Sequence, residues 1–198
     1  MSKKLKEYNA DYERNTYDSD YYENHVKYYQ KGIPHFVSFL NENLKFDSLC
    51  DLGCGTGAFS APLQVDKDVL GIDFSVGSEK VTFLDPKNFR LGDLTQPLNL
   101  GRSFDVVMSL EVWEHLLPQC EAAYLNNVFA LHPKTLIISC APPGQWGRHH
   151  YTPRNGEEVV QIIESRGYKL NQALTDKFRV IPKLASFYRK NTFIFDKV

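Results

Sequence analysis

Acidic and imidazole side chains stand in this chain at spacings that suit chemistry. Asp51 opens the run Asp51-Leu52-Gly53-Cys54-Gly55-Thr56-Gly57. Gly53 and Gly55 permit backbone conformations closed to residues with a Cβ, and Gly57 allows a ligand or a helix to approach closely. A glycine turn between a strand and a helix start is a nucleotide-binding arrangement. Asp73 ends the apolar run Val69-Leu70-Gly71-Ile72, sixteen residues after Gly57. A carboxylate at such a strand tip can accept hydrogen bonds from both hydroxyls of a ribose. Glu111, Glu114 and His115 follow a fourth apolar run, and His149 and His150 lie in a later loop. If residues 111–115 are helical, the two carboxylates and His115 share a face. Carboxylates and imidazoles so placed could bind a divalent cation that lowers the pKa of a hydroxyl, or an imidazole could act alone as a base.

These residues need elements to position them. The apolar run 46–50 reads as a first strand, and Ala58 to Leu63 as the start of a helix. Further strands are predicted at 69–73, 89–91, 104–110 and 135–140, with Pro86 leaving only a stunted helix between the second and third. A helix spans about 119–131, and an amphipathic one opens near Gly156 and stops at Gly167. Residues 168–174 and 188–195 fit a terminal antiparallel pair. The loop 141–153, rich in Pro and Gly, is long enough to carry function. The N-terminal thirty residues carry Tyr8, Tyr12, Tyr17, Tyr21, Tyr22, Tyr28 and Tyr29, with Asp18 or Ser19 as a helix cap. They have too little aliphatic character for a core helix and suit an aromatic lid. Phe36, Val37, Phe39, Leu40 and Leu44 then mark a core-facing helix.

Composition bounds the function. The 198 residues, 42% hydrophobic and 24% charged, suit one soluble globular domain. A net charge of −1 and a pI near 6.6 give no global basic field, which argues against a polynucleotide partner. No apolar run is long enough to span a membrane. The first residues lack the apolar middle of a secretory signal, so a cytoplasmic location is expected. Cys50, Cys54, Cys120 and Cys140 read as buried small residues of a reducing compartment, not as a metal clip.

Four motifs in order, D-L-G-C-G-T-G, Asp73 after the second strand, Asp93 after the third and F-D-V-V-M-S-L-E-V-W-E-H-L at the fourth, resemble the Rossmann-like S-adenosylmethionine (SAM) dependent methyltransferases. The likeness covers residues 45–140 well. It implies a three-layer αβα fold, with a seven-stranded, mostly parallel sheet and an antiparallel last strand. Residues 1–45 would form a helical lid and lead-in, and 46–198 the methyltransferase domain. The resemblance also implies that Asp93 meets the adenine amino group and that Asp51 orders the loop or meets the cofactor's ammonium. Gly53, Cys54, Gly55, Gly57, Asp73, Phe74, Leu94, Leu110 and Glu111 would complete the cofactor site, with Tyr17 and Tyr22 from the lid. The product would be S-adenosylhomocysteine (SAH).

His149, His150 and His115 are the candidate bases, and Trp113, Trp146 and Tyr151 a candidate aromatic wall for the acceptor. The expected acceptor is a hydroxyl of a small molecule, bound by a monomer or homodimer. Glu111, Glu114, His115 and His149 are the residues that would hold a metal. That arrangement resembles metal-dependent small-RNA 2′-O-methyltransferases, an alternative with RNA as acceptor. The metal-free reading is preferred, because E-V-x-E-H after the fourth strand is common in the superfamily without metal. A nicotinamide oxidoreductase is disfavoured by the G-x-G-x-G spacing, and a non-catalytic SAM-binding module remains as a further alternative.

Overall fold

The structure is a computed structural model that describes residues 17–198. Tyr8 and Tyr12, two of the tyrosines assigned to the lid, lie outside the described residues. The strands are β1 (Ser48–Leu52), β2 (Asp68–Asp73), β3 (Phe89–Leu91), β4 (Val106–Ser109), β5 (Thr135–Ser139), β6 (Tyr168–Leu170) and β7 (Thr192–Lys197). The helices are α1 (Ser19–Tyr29), α2 (Ile33–Asn43), α3 (Val76–Lys80), α4 (Glu121–Ala130), α5 (Gly156–Glu164), α6 (Gln172–Arg179) and α7 (Ser186–Asn191).

The strands form one sheet in the order β3-β2-β1-β4-β5-β7-β6. Pairing is parallel from β3 through β5, and β7 runs antiparallel to both β5 and β6. The seven-stranded, mostly parallel sheet with an antiparallel last strand is the expected architecture. Parallel strands must be covered on both faces, and their side chains alternate with period two. Leu49, Val106, Met108, Ile137 and Ile194 enter one apolar cluster, with Phe36 and Leu40 of α2 and Phe178 of α6. Their neighbours Cys50, Val107, Leu136, Ile138 and Phe195 enter the other, with Tyr124 and Val128 of α4 and Val159 and Ile163 of α5. The near-continuous apolar strands of the sequence follow from this double burial.

Three expectations for local structure are corrected. Residues 58–63 are turns and a single 3₁₀ turn, Ala61–Leu63, because only four residues separate Leu63 from β2. The layer a helix would have filled is taken by the lead-in: Phe59 stacks 5.0 Å from Tyr29 of α1 and lies 4.8 Å from Phe36 of α2. Residues 168–174 are strand only to Leu170, since the Asn171 side chain accepts from the Leu174 N–H and starts α6. Residues 188–191 are likewise helical, with β7 beginning at Thr192.

The N-terminal segment has two characters. Asp18 caps α1 through the Tyr21 N–H at 2.8 Å, as its position suggests. Tyr29 at the far end of α1 belongs to the core cluster, so that end of the segment is core and not only cover. A 3₁₀ turn, Gln30–Gly32, joins α1 to α2, and Pro34 sits in the first turn of α2 where its missing N–H costs nothing.

Candidate active site

A cavity of about 810 Å³ opens at the C-terminal ends of the parallel strands. One end is built on the turn after β1. Gly53 and Gly55 take left-handed φ values of 76° and 54°. The Gly53 and Cys54 N–H groups both donate to the Ile72 carbonyl, at 2.7 and 3.1 Å, which ties the turn to the end of β2. A Cβ at Gly53 would lie 2.3 Å from Val112 Cγ2, so the turn is closely packed beneath as well. Next to it the carboxylate of Asp73 accepts four hydrogen bonds: from Gly55 N–H at 2.8 Å on Oδ2, and on Oδ1 from Ser75 N–H at 3.0 Å, the Ser78 hydroxyl at 3.1 Å and the Tyr22 hydroxyl at 3.2 Å. Burial raises the Asp73 pKa, and these donors oppose the rise.

Asp51 is buried and accepts from the Ser60 hydroxyl at 2.7 Å, which holds the turn in place. Its pKa is pushed up to about 7, chiefly by burial, with the Ser60 hydrogen bond opposing and the charge of Asp73 adding. Cys54, Phe74, Asp93, Leu94 and Leu110 all line this part of the cavity. Asp93 is oriented by the Thr95 N–H and hydroxyl, at 2.9 and 2.7 Å. Gly57 does not line it. A Cβ there would meet Leu84 at 2.7 Å, so this glycine admits a core side chain and not a ligand. Cys50 packs in the second apolar cluster while Cys54 faces the cavity, and all four cysteines are free.

The other end is built on the segment after β4. The expected helical face over residues 111–115 does not form. Glu111 has a left-handed φ of 56°, and only Trp113–His115 make a 3₁₀ turn. The strained backbone turns Glu111 toward the Ser139 hydroxyl at 2.9 Å, Gln145 Nε2 at 3.2 Å and Asn191 Nδ2 at 3.1 Å. Glu114 is fully buried, and as a carboxylate neither of its oxygens finds a donor. Its pKa is driven well above the usual carboxylate range by burial and then by the neighbouring charge of Glu111.

His115 Nδ1 lies 3.5 Å from the Tyr17 hydroxyl, and its ring meets that of His150 edge-on at 5.0 Å. Burial, with the proximity of His150, lowers the His115 pKa to about 4 and keeps its imidazole neutral near pH 7. One donor atom each from Glu114, His115 and His150 lie within 4.8 Å of one another. Two loops meet to make this cluster: the Tyr151 and Thr152 N–H groups donate to the Glu114 carbonyl at 2.7 and 3.0 Å, and the Thr152 hydroxyl to the Leu116 carbonyl at 2.6 Å.

Several assigned roles change on this geometry. Trp113 is fully buried and its indole N–H donates to Glu121 at 2.7 Å, which Arg154 clamps at 2.6 Å, so it is no part of an acceptor wall. Trp146 does stand on the cavity rim, 94% exposed. His149 and Tyr151 lie outside the cavity lining and stack on each other at 5.8 Å; His115 and His150 line the cavity, as does His25 of α1. Among the residues set out as metal ligands, Glu114 and His115 are in the donor cluster, whereas Glu111 and His149 are replaced by His150. Tyr17 and Tyr22 line the cavity as expected. Sequence reasoning missed Ser75 and Ser78, which hold Asp73, and Arg148, Ser186 and Lys190 on the rim. The Ser75-x-x-Ser78 spacing directly after Asp73 was the available signal for the first pair.

A doubly wound sheet with a glycine turn after β1, carboxylates after β2 and β3, and a cavity across them has the architecture of the class I SAM-dependent methyltransferases. The sequence matches the family described as methyltransferase domain over residues 22–170, and the chain belongs to that family. It is 32% identical over 126 residues to the magnesium-protoporphyrin O-methyltransferase of Synechocystis sp., an alignment covering 58% of this chain and 54% of that protein. The chain thus spans about half the length of the curated relative it matches. Its fold is similar to the crystal structure of magnesium protoporphyrin IX methyltransferase from Synechocystis PCC 6803 with bound SAH, with TM-score 0.56 and 22% identity over 84% of this chain and 81% of that one. It is also similar in fold to the small RNA methyltransferase HEN1, with TM-score 0.60 and 18% identity over 83% of this chain and 25% of that one. Among the described residues no helix is long and apolar enough to cross a membrane.

Proposed function

We propose that the chain transfers the methyl group of SAM to an oxygen of a small molecule. The observation that carries this is one cavity lined both by Asp73 and the glycine turn and by the His115–His150 pair. On this reading Asp73 receives the ribose hydroxyls, Asp93 the adenine and Asp51 the ammonium, while Tyr17 and Tyr22 of the lid cover them. Methyl transfer from a sulfonium is an in-line displacement, so most of the catalysis is alignment of acceptor oxygen, methyl and sulfur. A neutral His150 or His115 is available to take the proton of an acceptor hydroxyl. The magnesium-protoporphyrin relative, an O-methyltransferase by name, supports oxygen as the acceptor atom. Screening acceptors with labelled SAM tests the reading. Methylation only of nitrogen acceptors, or no product from any acceptor, would overturn it.

A second reading is favoured by one observation, the donor cluster of Glu114, His115 and His150. Two unpartnered carboxylate oxygens and two neutral imidazoles fit a divalent cation by charge and donor type. A cation held by these three residues would lower the pKa of an acceptor hydroxyl, including the 2′-hydroxyl of an RNA end. Running the same screen with and without a chelator, on small hydroxyl compounds and on short oligoribonucleotides, separates the two. Activity that survives chelation eliminates the metal-assisted version.

A further inference from the structure

Beside the cavity just described lies a second cleft, of about 460 Å³, lined by Arg179, Ser186, Arg189 and Lys190. Arg179 ends α6, and the other three belong to α7. The charge balance here differs sharply from the near-neutral whole. Three cations line one space, and Asp176 lies 3.8 Å from Arg179 Nη1. The Nε–H groups of Arg179 and Arg189 are both buried and both lack an acceptor. Leaving a charged donor buried and unpaired is costly, so the cleft is built for an acceptor it does not itself supply. The Arg179 guanidinium is held over the Phe193 ring at 5.4 Å, which fixes one wall.

Position says which ligand would use it. Ser186 and Lys190 line the cleft and the main cavity alike, so the two adjoin along α7. The cofactor residues Asp73 and Asp93 follow β2 and β3, whereas α7 leads into β7, four strands away from β2. The end of α7 also carries Asn191, which donates to Glu111 at 3.1 Å, so the helix that lines the cleft borders the segment after β4. With Asp176 set against one arginine, about two positive charges remain to be met, which suits a dianionic tetrahedral oxyanion and its several acceptor oxygens.

We infer that Arg179, Arg189, Lys190 and Ser186 form a phosphate seat for the methyl acceptor, so that the substrate is a phosphorylated small molecule. This inference rests on the proposed methyl transfer for the word acceptor, but not for the anion site. The seat would hold one end of the acceptor by charge-assisted hydrogen bonds and leave its reacting oxygen in the main cavity beside His150.

The test uses the full chain with SAH and inorganic pyrophosphate as probes, each titrated by calorimetry. Saturable pyrophosphate binding is expected. It should weaken at least tenfold in Arg189→Gln and in Lys190→Gln, with SAH affinity within twofold of the wild type. Lys190 is exposed, so its variant reads the site even if Arg189→Gln fails to fold. No saturable binding, or equal binding in both variants, overturns the inference. A short oligoribonucleotide that binds through these residues while pyrophosphate does not would also overturn it, in favour of a polyanion. Failure of SAH to bind, with arginine-dependent pyrophosphate binding intact, would sink the methyltransferase reading and leave the anion seat standing.

Discussion

Asp73→Asn isolates the charge at the proposed ribose site without changing its shape. The carboxylate is surrounded by donors, so either orientation of the new amide sets its NH₂ against at least one of them. Turned toward Oδ2's place, it faces the Gly55 N–H that now donates at 2.8 Å. Turned the other way, it faces Ser75 N–H, Ser78 and Tyr22 together. The first orientation costs less and is the one expected. An arriving ribose would find Oδ2 with one partner and would displace Tyr22, whose bond is the longest of the four at 3.2 Å. In the variant one sugar hydrogen bond is lost and the other becomes neutral. At about 1.5–3 kcal/mol for a charge-assisted bond, SAH affinity should fall about ten- to a hundredfold. Stability should move less, because removing the charge also removes the burial penalty that raises the Asp73 pKa. Calorimetric titration of SAH, beside thermal melting of both proteins, measures the two effects. A folded Asp73→Asn protein with SAH affinity within twofold of the wild type would refute the assignment.

Asp51, with its pKa raised to about 7, should make SAH affinity rise as pH increases through that value, because the ligand's ammonium favours the ionised carboxylate; Asp51→Asn should flatten the titration. Without ligand the sign reverses: a raised carboxyl pKa subtracts stability progressively from about pH 4 to 7. Asp105 behaves the opposite way. Lys134, at 2.7 Å, and the Asp47 N–H hold its pKa down to about 2, so its contribution is present above about pH 4 and disappears as pH falls through 2. Asp105→Asn should therefore melt lower at pH 7 and show a shallower acid limb in melts taken from pH 5 to 2. Phe36→Ala, at a fully buried ring against Phe59 and Phe178, should cost about 3–5 kcal/mol in urea denaturation. Deleting residues 1–24 removes Tyr17 and Tyr22 but keeps Tyr29 in the core, so circular dichroism should stay native while SAH affinity drops; a molten truncation would end the lid proposal.

The two halves of the cavity differ in how far the sequence discloses them, and the difference is physical. The cofactor half is made of short consecutive runs at strand ends. Gly53 and Gly55 mark left-handed backbone by residue type alone, and an acid directly after an apolar run lands at a strand tip whatever the rest of the chain does. The sheet was legible for the same reason, since double burial writes itself as uninterrupted apolar letters. Short-range competition set the limit. The Asn171 cap turned a plausible strand into α6, and a tight connection to β2 left residues 58–63 with one turn.

The acceptor half depends instead on segments far apart in the chain. Trp113 reads as part of an aromatic wall for the acceptor until its indole is seen bonded to Glu121, which Arg154 holds in turn. His149 and His150 are adjacent in the same loop, and it takes the docking of that loop on the Glu114 carbonyl, through the Tyr151 and Thr152 N–H groups, to show that His150 is the one beside His115. Arg179, Arg189 and Lys190 look like ordinary solvated charges on two short helices until α6 and α7 bring them around one cleft. A fold of this type can therefore keep its cofactor motifs while the acceptor end is rebuilt by side chains that carry no local signature. Membership of the family then fixes the methyl donor far more tightly than the molecule that receives the methyl group.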